Sequence, residues 1–387
     1  MSRVVVVGAG IAGASVAYHL ATSGVDVIVV DDARSGRATA AGAGIIAPVS
    51  TRPSTDEKSR FVVAAAEHHR ALVDRFRASG YDDHSYAVPG ELIVALDDAE
   101  TPRLSEVAER ADALVRAHGA EGVGTPELLD GAAVLRRFPA LTSAHGGLWL
   151  PEVARLDGRA VRDRLMSMAR RHGAEVIQAS AELVTTPGSA GPPAARGVRT
   201  PAGLVEADHV VLAAGAWSQA AAAPAGLHLA VYPQRGQIVH VRTPLSGELP
   251  ILNTLRGHYL VPFDDDRLAL GATREDDSGF DGRATAGGIT RVLDQGRAVV
   301  PGLDRAEWLE VRVGIRPASR DGEPFVGRAD GVDGLWLATG FGPQGLTLAP
   351  YSGKLVADAV LDRPAEIPPA FAPGRRIEAT GPDEVQR

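Results

Sequence analysis

Gly8, Gly10 and Gly13, followed by Asp31, are the residues whose types and spacing most directly imply chemistry. They belong to Gly8-Ala9-Gly10-Ile11-Ala12-Gly13, the G-x-G-x-x-G arrangement that holds a dinucleotide when a strand precedes it and a helix follows. Gly8 permits a tight turn. Gly10 lets backbone approach a pyrophosphate, and Gly13 lets the helix pack close to the strand. The helix N-terminus then offers free N–H groups to the phosphates. Asp31, at the end of the next strand, is placed to accept from ribose hydroxyls; Asp32 follows it. The competing reading is an ordinary strand–helix–strand unit with a glycine-rich turn.

Several elements must position this site. Four valines, Val4 to Val7, form the first strand, and Ile11–Ser23 carries small apolar residues at helical spacing. The run Ala38 to Pro48 is small and nearly uncharged, which suits backbone packed against a flat ligand. Leu204–Ser218 reads as a buried strand ending in a tight turn. Gly334–Gly340 reads as another, and Phe341–Gly345 leads into a helix over Leu346–Leu361. Between them, helices are expected at Thr55–Gly80, Leu104–Gly119 and Arg159–Gly173. Strands are expected within Tyr86–Ala95, at Gly146–Leu150 and from Glu175 to Ile177. Thr125-Pro126-Glu127 looks like an N-cap with proline at N1, opening a short helix. Pro187–Ala195 reads as an exposed hairpin tip. From Val231 to Val313 the pattern changes to short strands at Gln237–Val241, His258–Pro262, Leu268–Ala272 and Leu309–Val313. One helix, Ile289–Val299, interrupts them. That pattern predicts a mainly antiparallel domain inserted into an α/β one. The tail after Arg363 is rich in proline and charge and reads as partly disordered.

The 387 residues suffice for two domains and a large core. The formal charge of −8 disfavours nucleic-acid binding, which needs a basic footprint. Lys58 and Lys354 are the only lysines among 40 cationic residues. There is no cysteine, which excludes disulfides, thiolate metal sites and cysteine nucleophiles. His69 shares one face of Thr55–Gly80 with Phe61, Ala65, Leu72 and Phe76; His68 and His69 read as lying on the helix surface or its edge, without a third ligand at suitable spacing, so no metal is expected. No apolar run approaches the roughly 20 residues of a membrane span. The first strand begins at once, so no signal peptide is expected, and a cytoplasmic protein is the expectation. Oligomeric state is left open.

Four stretches together resemble the D-amino-acid-oxidase and glycine-oxidase superfamily of FAD-dependent oxidoreductases. They are VVVVGAGIAGASVAYHLATSGVDVIVVD, ADHVVLAAGAWS, HYLVPFDDDRLALGATREDDSGFD and GIRPASRDGEPFVG…GLWLATGFGPQGLTLAPYSGKLVADAV, in that family's order across nearly the whole chain. The resemblance implies an α/β (α+β overall) chain. A discontinuous Rossmann-like FAD domain would comprise 1–85, 145–222 and 317–365; the antiparallel substrate domain would comprise 86–144 and 223–316, with a tail at 366–387. It implies FAD as the dinucleotide, held without a covalent link because no cysteine is present. The implied cofactor contacts are Gly8, Gly10, Gly13, Asp31 and Asp32; Thr39, Ala40, Ala43 and Gly44 at the diphosphate; Glu182 at the adenine; and Ala214, Gly215 and Trp217 beside the cofactor. Gly342, Pro343, Gln344, Gly345, Leu346 and Thr347 would lie under the pyrimidine edge of the flavin. A helix N-terminus there stabilises the negative charge of reduced flavin.

Arg316 matches the family arginine that pairs with a substrate carboxylate. Tyr259 falls near an active-site tyrosine, and His258 beside it is a further candidate. The implied reaction is oxidation of a C–N bond in a small amino acid or secondary amine, by hydride transfer to flavin N5. Oxygen or a quinone would accept the electrons. The histidine and arginine that glycine oxidases commonly carry in the Phe341–Gly345 loop are absent, and Phe263 stands where a base commonly follows proline. Three alternatives remain at this point: a 2-hydroxy-acid dehydrogenase with His258 as base, an NAD-dependent dehydrogenase, and a non-catalytic flavin-binding subunit.

Overall fold

The computed structural model describes residues 2–81, 85–120, 122–186, 191–243, 245 and 249–377. Two sheets organise it. The first has six strands in the order Phe325–Arg328, Leu335–Thr339, His209–Leu212, Arg3–Val7, Asp26–Val30, Glu175–Ile177. All neighbours are parallel except the Phe325–Arg328 edge. Its central strands are runs of valine because both faces are covered. Helix Ile11–Thr22 packs on one face with Gly158–Arg171 and Gly345–Val360. On the other face Val5 and Val7 join an apolar cluster with Leu183 and Val198 from a three-stranded sheet.

The second sheet has eight strands: Glu307–Ser319, Val231–Arg242, Arg267–Gly271, Tyr259–Pro262, Ile251–Thr254, Glu91–Ala95, Gly146–Leu150, Glu127–Asp130. It is antiparallel apart from the pairing of Ile251–Thr254 with Glu91–Ala95. The two long strands pair along their whole length, from Val231 opposite Ser319 to Arg242 opposite Glu307. Helix Ala286–Val299 packs against this sheet. A direct tie joins the two halves: Ile315 N–H donates to Gly36 O at 2.7 Å, beside a parallel bridge of Ile315 to Arg37.

Several local expectations need correction. Thr125-Pro126-Glu127 opens no helix. Glu127–Asp130 is an edge strand, and Asp130 is the N-cap, accepting from Ala133 N at 2.7 Å for helix Gly131–Arg137. Leu204–Ser218 divides into Gly203–Glu206 in the small sheet and His209–Leu212 in the parallel sheet. Asp208 between them accepts from Arg3 N. Gly146–Leu150 pairs with Glu91–Ala95 in the antiparallel sheet, so the expected cofactor segment 145–222 begins too early. The Pro187–Ala195 hairpin tip lies partly outside the described residues, but the strands flanking it do pair antiparallel. Residues 366–377 are docked: Phe371 is buried edge-on against Phe61 at 5.0 Å, and Arg375 pairs with Asp321 at 2.7 Å. No helix among the described residues is long and apolar enough to cross a membrane.

Candidate active site

A cavity of about 1060 Å³ runs from the edge of the parallel sheet to the face of the antiparallel one. At its first end the glycines are fixed by close approach. Gly8 has φ +100°, and a Cβ there would lie 2.5 Å from Ala213 O. A Cβ on Gly13 would lie 1.9 Å from Gly8 O, so Gly13 sits behind the cavity and locks helix to strand. Gly10 is the N-cap of helix Ile11–Thr22 and supplies no capping side chain. Ile11 N–H is met instead by Thr39 Oγ1 at 3.0 Å. Asp31 accepts from Ala9 N at 3.1 Å and pairs with Arg37 at 2.9 Å. Asp32 pairs with Arg34, which holds its carboxyl below the usual range. Arg34 in turn lies over the Trp217 ring, 4.9 Å from its centroid. Thr39, Ala43, Gly44, Glu182, Ala214, Gly215 and Trp217 all line this end.

Ala40 does not line it. Its carbonyl accepts from Arg159 Nε at 2.9 Å, and the residue faces a small recess behind the cavity. Thr347 is likewise withdrawn, donating from Oγ1 to Ile45 O at 3.1 Å. Gly342, Pro343, Gln344, Gly345 and Leu346 do line the cavity. They form a short 3-10 turn running into helix Gly345–Val360, and neither start has a side-chain cap. Gln344 N–H is taken by Phe341 O at 3.0 Å, and the N–H groups at the start of the helix meet no capping side chain. His69, expected on the helix surface or its edge, is buried beneath this turn. Its Nε2–H donates to Leu346 O at 2.9 Å and Thr347 O at 3.2 Å. Burial draws its pKa down to about 4, so the ring is neutral. His68 is also buried, between His19 and Tyr351. No metal-binding cluster occurs among the described residues.

The far end is built from side chains lying over glycine. Arg316, on strand Glu307–Ser319, lies flat on Gly236 of the neighbouring strand; a Cβ there would meet its guanidinium at 2.3 Å. Nη1 donates to Thr273 O at 3.1 Å. Among the described residues no carboxylate stands within ion-pair distance of Arg316, although burial disfavours its charge. It stays a cation with unused donors facing the cavity. Tyr259 lies over Gly271 in the same way. Burial pushes its phenol up to about 12, so it is a neutral donor. Neither glycine entered the sequence reading, though glycine inside a strand is a sign of close approach.

His258 is displaced from the site. Strand alternation points it opposite to Tyr259. It is buried next to Gly296 of helix Ala286–Val299, and neither ring nitrogen finds a partner among the described residues.

Two helix starts, Gly8 and Gly10, and an acid at the strand end all border one cavity of about 1060 Å³. A family model described as FAD dependent oxidoreductase matches residues 3–359. The chain belongs to that family of FAD-dependent oxidoreductases. An uncharacterized oxidoreductase of Bacillus subtilis is 34% identical, covering 95% of this chain and 97% of the relative. The glycine oxidase of Pseudomonas aeruginosa is 32% identical over 97% of this chain and 99% of its own. The crystal structure of iminodiacetate oxidase from Chelativorans matches with a TM-score of 0.88 at 34% identity, over 96% and 99% of the two chains. As a family member this oxidoreductase is an enzyme and uses FAD. The nicotinamide and non-catalytic readings are set aside. The residues present fit FAD, and the absence of cysteine excludes a thioether link to it.

Proposed function

We propose that this oxidoreductase oxidises the C–N bond of a small amine bearing a carboxylate: a D-amino acid, glycine or an N-substituted glycine. The observation that carries this reading is Arg316, a guanidinium without a carboxylate partner, facing the same cavity as the helix starts. Its planar fork matches both oxygens of a carboxylate. Gly236 beneath it fixes its height, and Thr273 O fixes its orientation. Tyr259, neutral at working pH, supplies a further donor beside it. Relatives named for glycine and iminodiacetate oxidation support the same choice, since both substrates are amines carrying a carboxymethyl group.

On the cofactor side, Asp31 would take the ribose hydroxyls, while Gly8, Gly10 and Thr39 would take the diphosphate. Glu182 and Trp217 would lie along the adenosine end, and Gly342 to Leu346 would take the flavin edge. Bound FAD supplies a two-electron acceptor for the substrate's α-hydride, leaving an imine that water hydrolyses to an oxo acid and ammonia or an amine. The protein's part is position and field. No side-chain base is required when the amine binds neutral. A 2-hydroxy acid requires a base for its hydroxyl proton, and His258 lies outside the cavity.

The test is anaerobic. Purified protein is expected to be yellow and to bleach with glycine, sarcosine, iminodiacetate or D-amino acids. Bleaching by 2-hydroxy acids alone overturns the reading. Repeating the productive mixture in air with peroxide detection, then with a quinone, identifies the electron acceptor.

A further inference from the structure

The cavity is electrically lopsided. Among the described residues its lining carboxylates are Asp31, Asp32 and Glu182, all at the nucleotide end, where Asp31 and Asp32 already pair with arginines. The substrate end is lined by Arg52, Arg103, Arg256, Arg274 and Arg316 and, among the described residues, by no carboxylate. Arg256 is satisfied by Asp97 and Glu100 at 2.6 Å each. Arg274 and Arg103 have no ion pair among the described residues. The nearby acids are engaged elsewhere: Glu275 with Arg235 at 2.6 Å, and Asp276 with Gln234 at 2.7 Å. Arg274 adjoins Thr273, whose carbonyl orients Arg316, so it stands next to the proposed carboxylate clamp.

From this placement we infer that Arg274, with Arg103 at the cavity mouth, receives a second carboxylate, so the preferred substrates are dicarboxylic amines. The inference rests on the Arg316 reading above and changes recognition, not the bonds made and broken. Like charges gathered at one mouth repel; burial and the positive charges of Arg110, Arg103 and Arg274 together disfavour the charged form of Arg52. An anion placed among them relieves that repulsion. These side chains are largely exposed, so screening keeps the gain near the lower end for a charge-assisted bond, about tenfold in affinity.

The experiment uses the FAD-loaded enzyme and ligands that it has no C–N bond to oxidise, read by the flavin difference spectrum. Oxydiacetate, which carries a second carboxylate where the amine substituent would lie, is compared with methoxyacetate. Succinate, which carries one on the carbon chain, is compared with propionate. At least one dicarboxylate is expected to bind about tenfold tighter than its monocarboxylate partner. Arg274→Ala is expected to bring that ratio below about threefold, and Arg103→Ala to lower it less. Arg328→Ala removes a cation paired with Asp333 at the far edge of the parallel sheet, and should leave the ratio alone. Equal binding of both pairs, or an equal loss in Arg328→Ala, overturns the inference. Arg316→Ala separates the two readings: it should weaken mono- and dicarboxylates alike, and if it weakens neither, the clamp itself is wrong.

Discussion

The two ends of the cavity are built by opposite means. At the end proposed for the nucleotide, backbone lines the cavity and glycine is required for what it lacks: a Cβ at Gly8 or Gly13 would strike neighbouring backbone. At the end proposed for the substrate, side chains line it, and glycine is required for what it lets lie on top of it, Arg316 over Gly236 and Tyr259 over Gly271. The first arrangement tolerates almost no change. The second separates the group proposed to touch substrate from the residue that sets its position, and so should admit graded change.

That contrast can be broken by experiment. Gly13→Val should have the largest effect, because its Cβ would fall 1.9 Å from a carbonyl that cannot move without the sheet. Little soluble, FAD-retaining protein is expected; a normal ratio of flavin to protein absorbance would show that the cradle is more pliant than described. Arg316→Ala comes next, lowering kcat/KM for carboxylate substrates by tens- to thousands-fold while FAD stays bound, as expected for loss of charge-assisted bonds of about 1.5–3 kcal/mol each. Gly236→Ala should act through the arginine it supports. We expect roughly a tenfold fall in kcat/KM, with unchanged flavin content, from a displaced but present guanidinium. If Gly236→Ala instead loses FAD, the two ends are not separable.

The smallest effect lies in the antiparallel sheet away from the cavity. Glu91 is buried there, with Oε1 accepting from Asn253 at 3.1 Å and Oε2 without a partner. Burial raises its pKa from 4.5 to about 7. Between those values the folded protein keeps a proton that the unfolded chain has released, so stability falls as pH rises through that window and levels off above it. Glu91→Gln removes this slope. Its Tm should gain on the parent by roughly 2–5 °C between pH 5 and pH 8, without change in flavin content. A constant difference across that range would mean Glu91 is not neutral in the folded protein.

Sequence legibility follows the same division. Gly8, Gly10, Gly13 and Asp31 were readable because backbone binding needs glycine at fixed spacing within a continuous strand–turn–helix. Arg316 became readable only through resemblance, since nothing local distinguishes it from the chain's many other arginines. Its register on Gly236 depends on two strands some 80 positions apart, which no local pattern reports. Tyr259 and His258 show the limit most plainly. They are adjacent, and only the face of the strand decides which enters the cavity. Helical spacing places His69 on or at the edge of a buried face but does not report the carbonyls of Leu346 and Thr347 that meet its ring there. The Thr125-Pro126 signal misled because a genuine cap, Asp130, stood a few residues further on.

The tie between Gly36 and Ile315 has a mechanical meaning. Ile315 immediately precedes Arg316, and Gly36 immediately precedes the Arg37 that pairs with Asp31. The residue proposed to grip the substrate and the pair proposed to face the cofactor ribose are thus fastened to one short bracket, as the fixed jaws of a caliper share a beam. Such a gauge measures instead of adapting. On the proposed reading, the bracket sets the distance between a bound carboxylate and the cofactor, and a change of substrate would come from altering the mouth, not the beam.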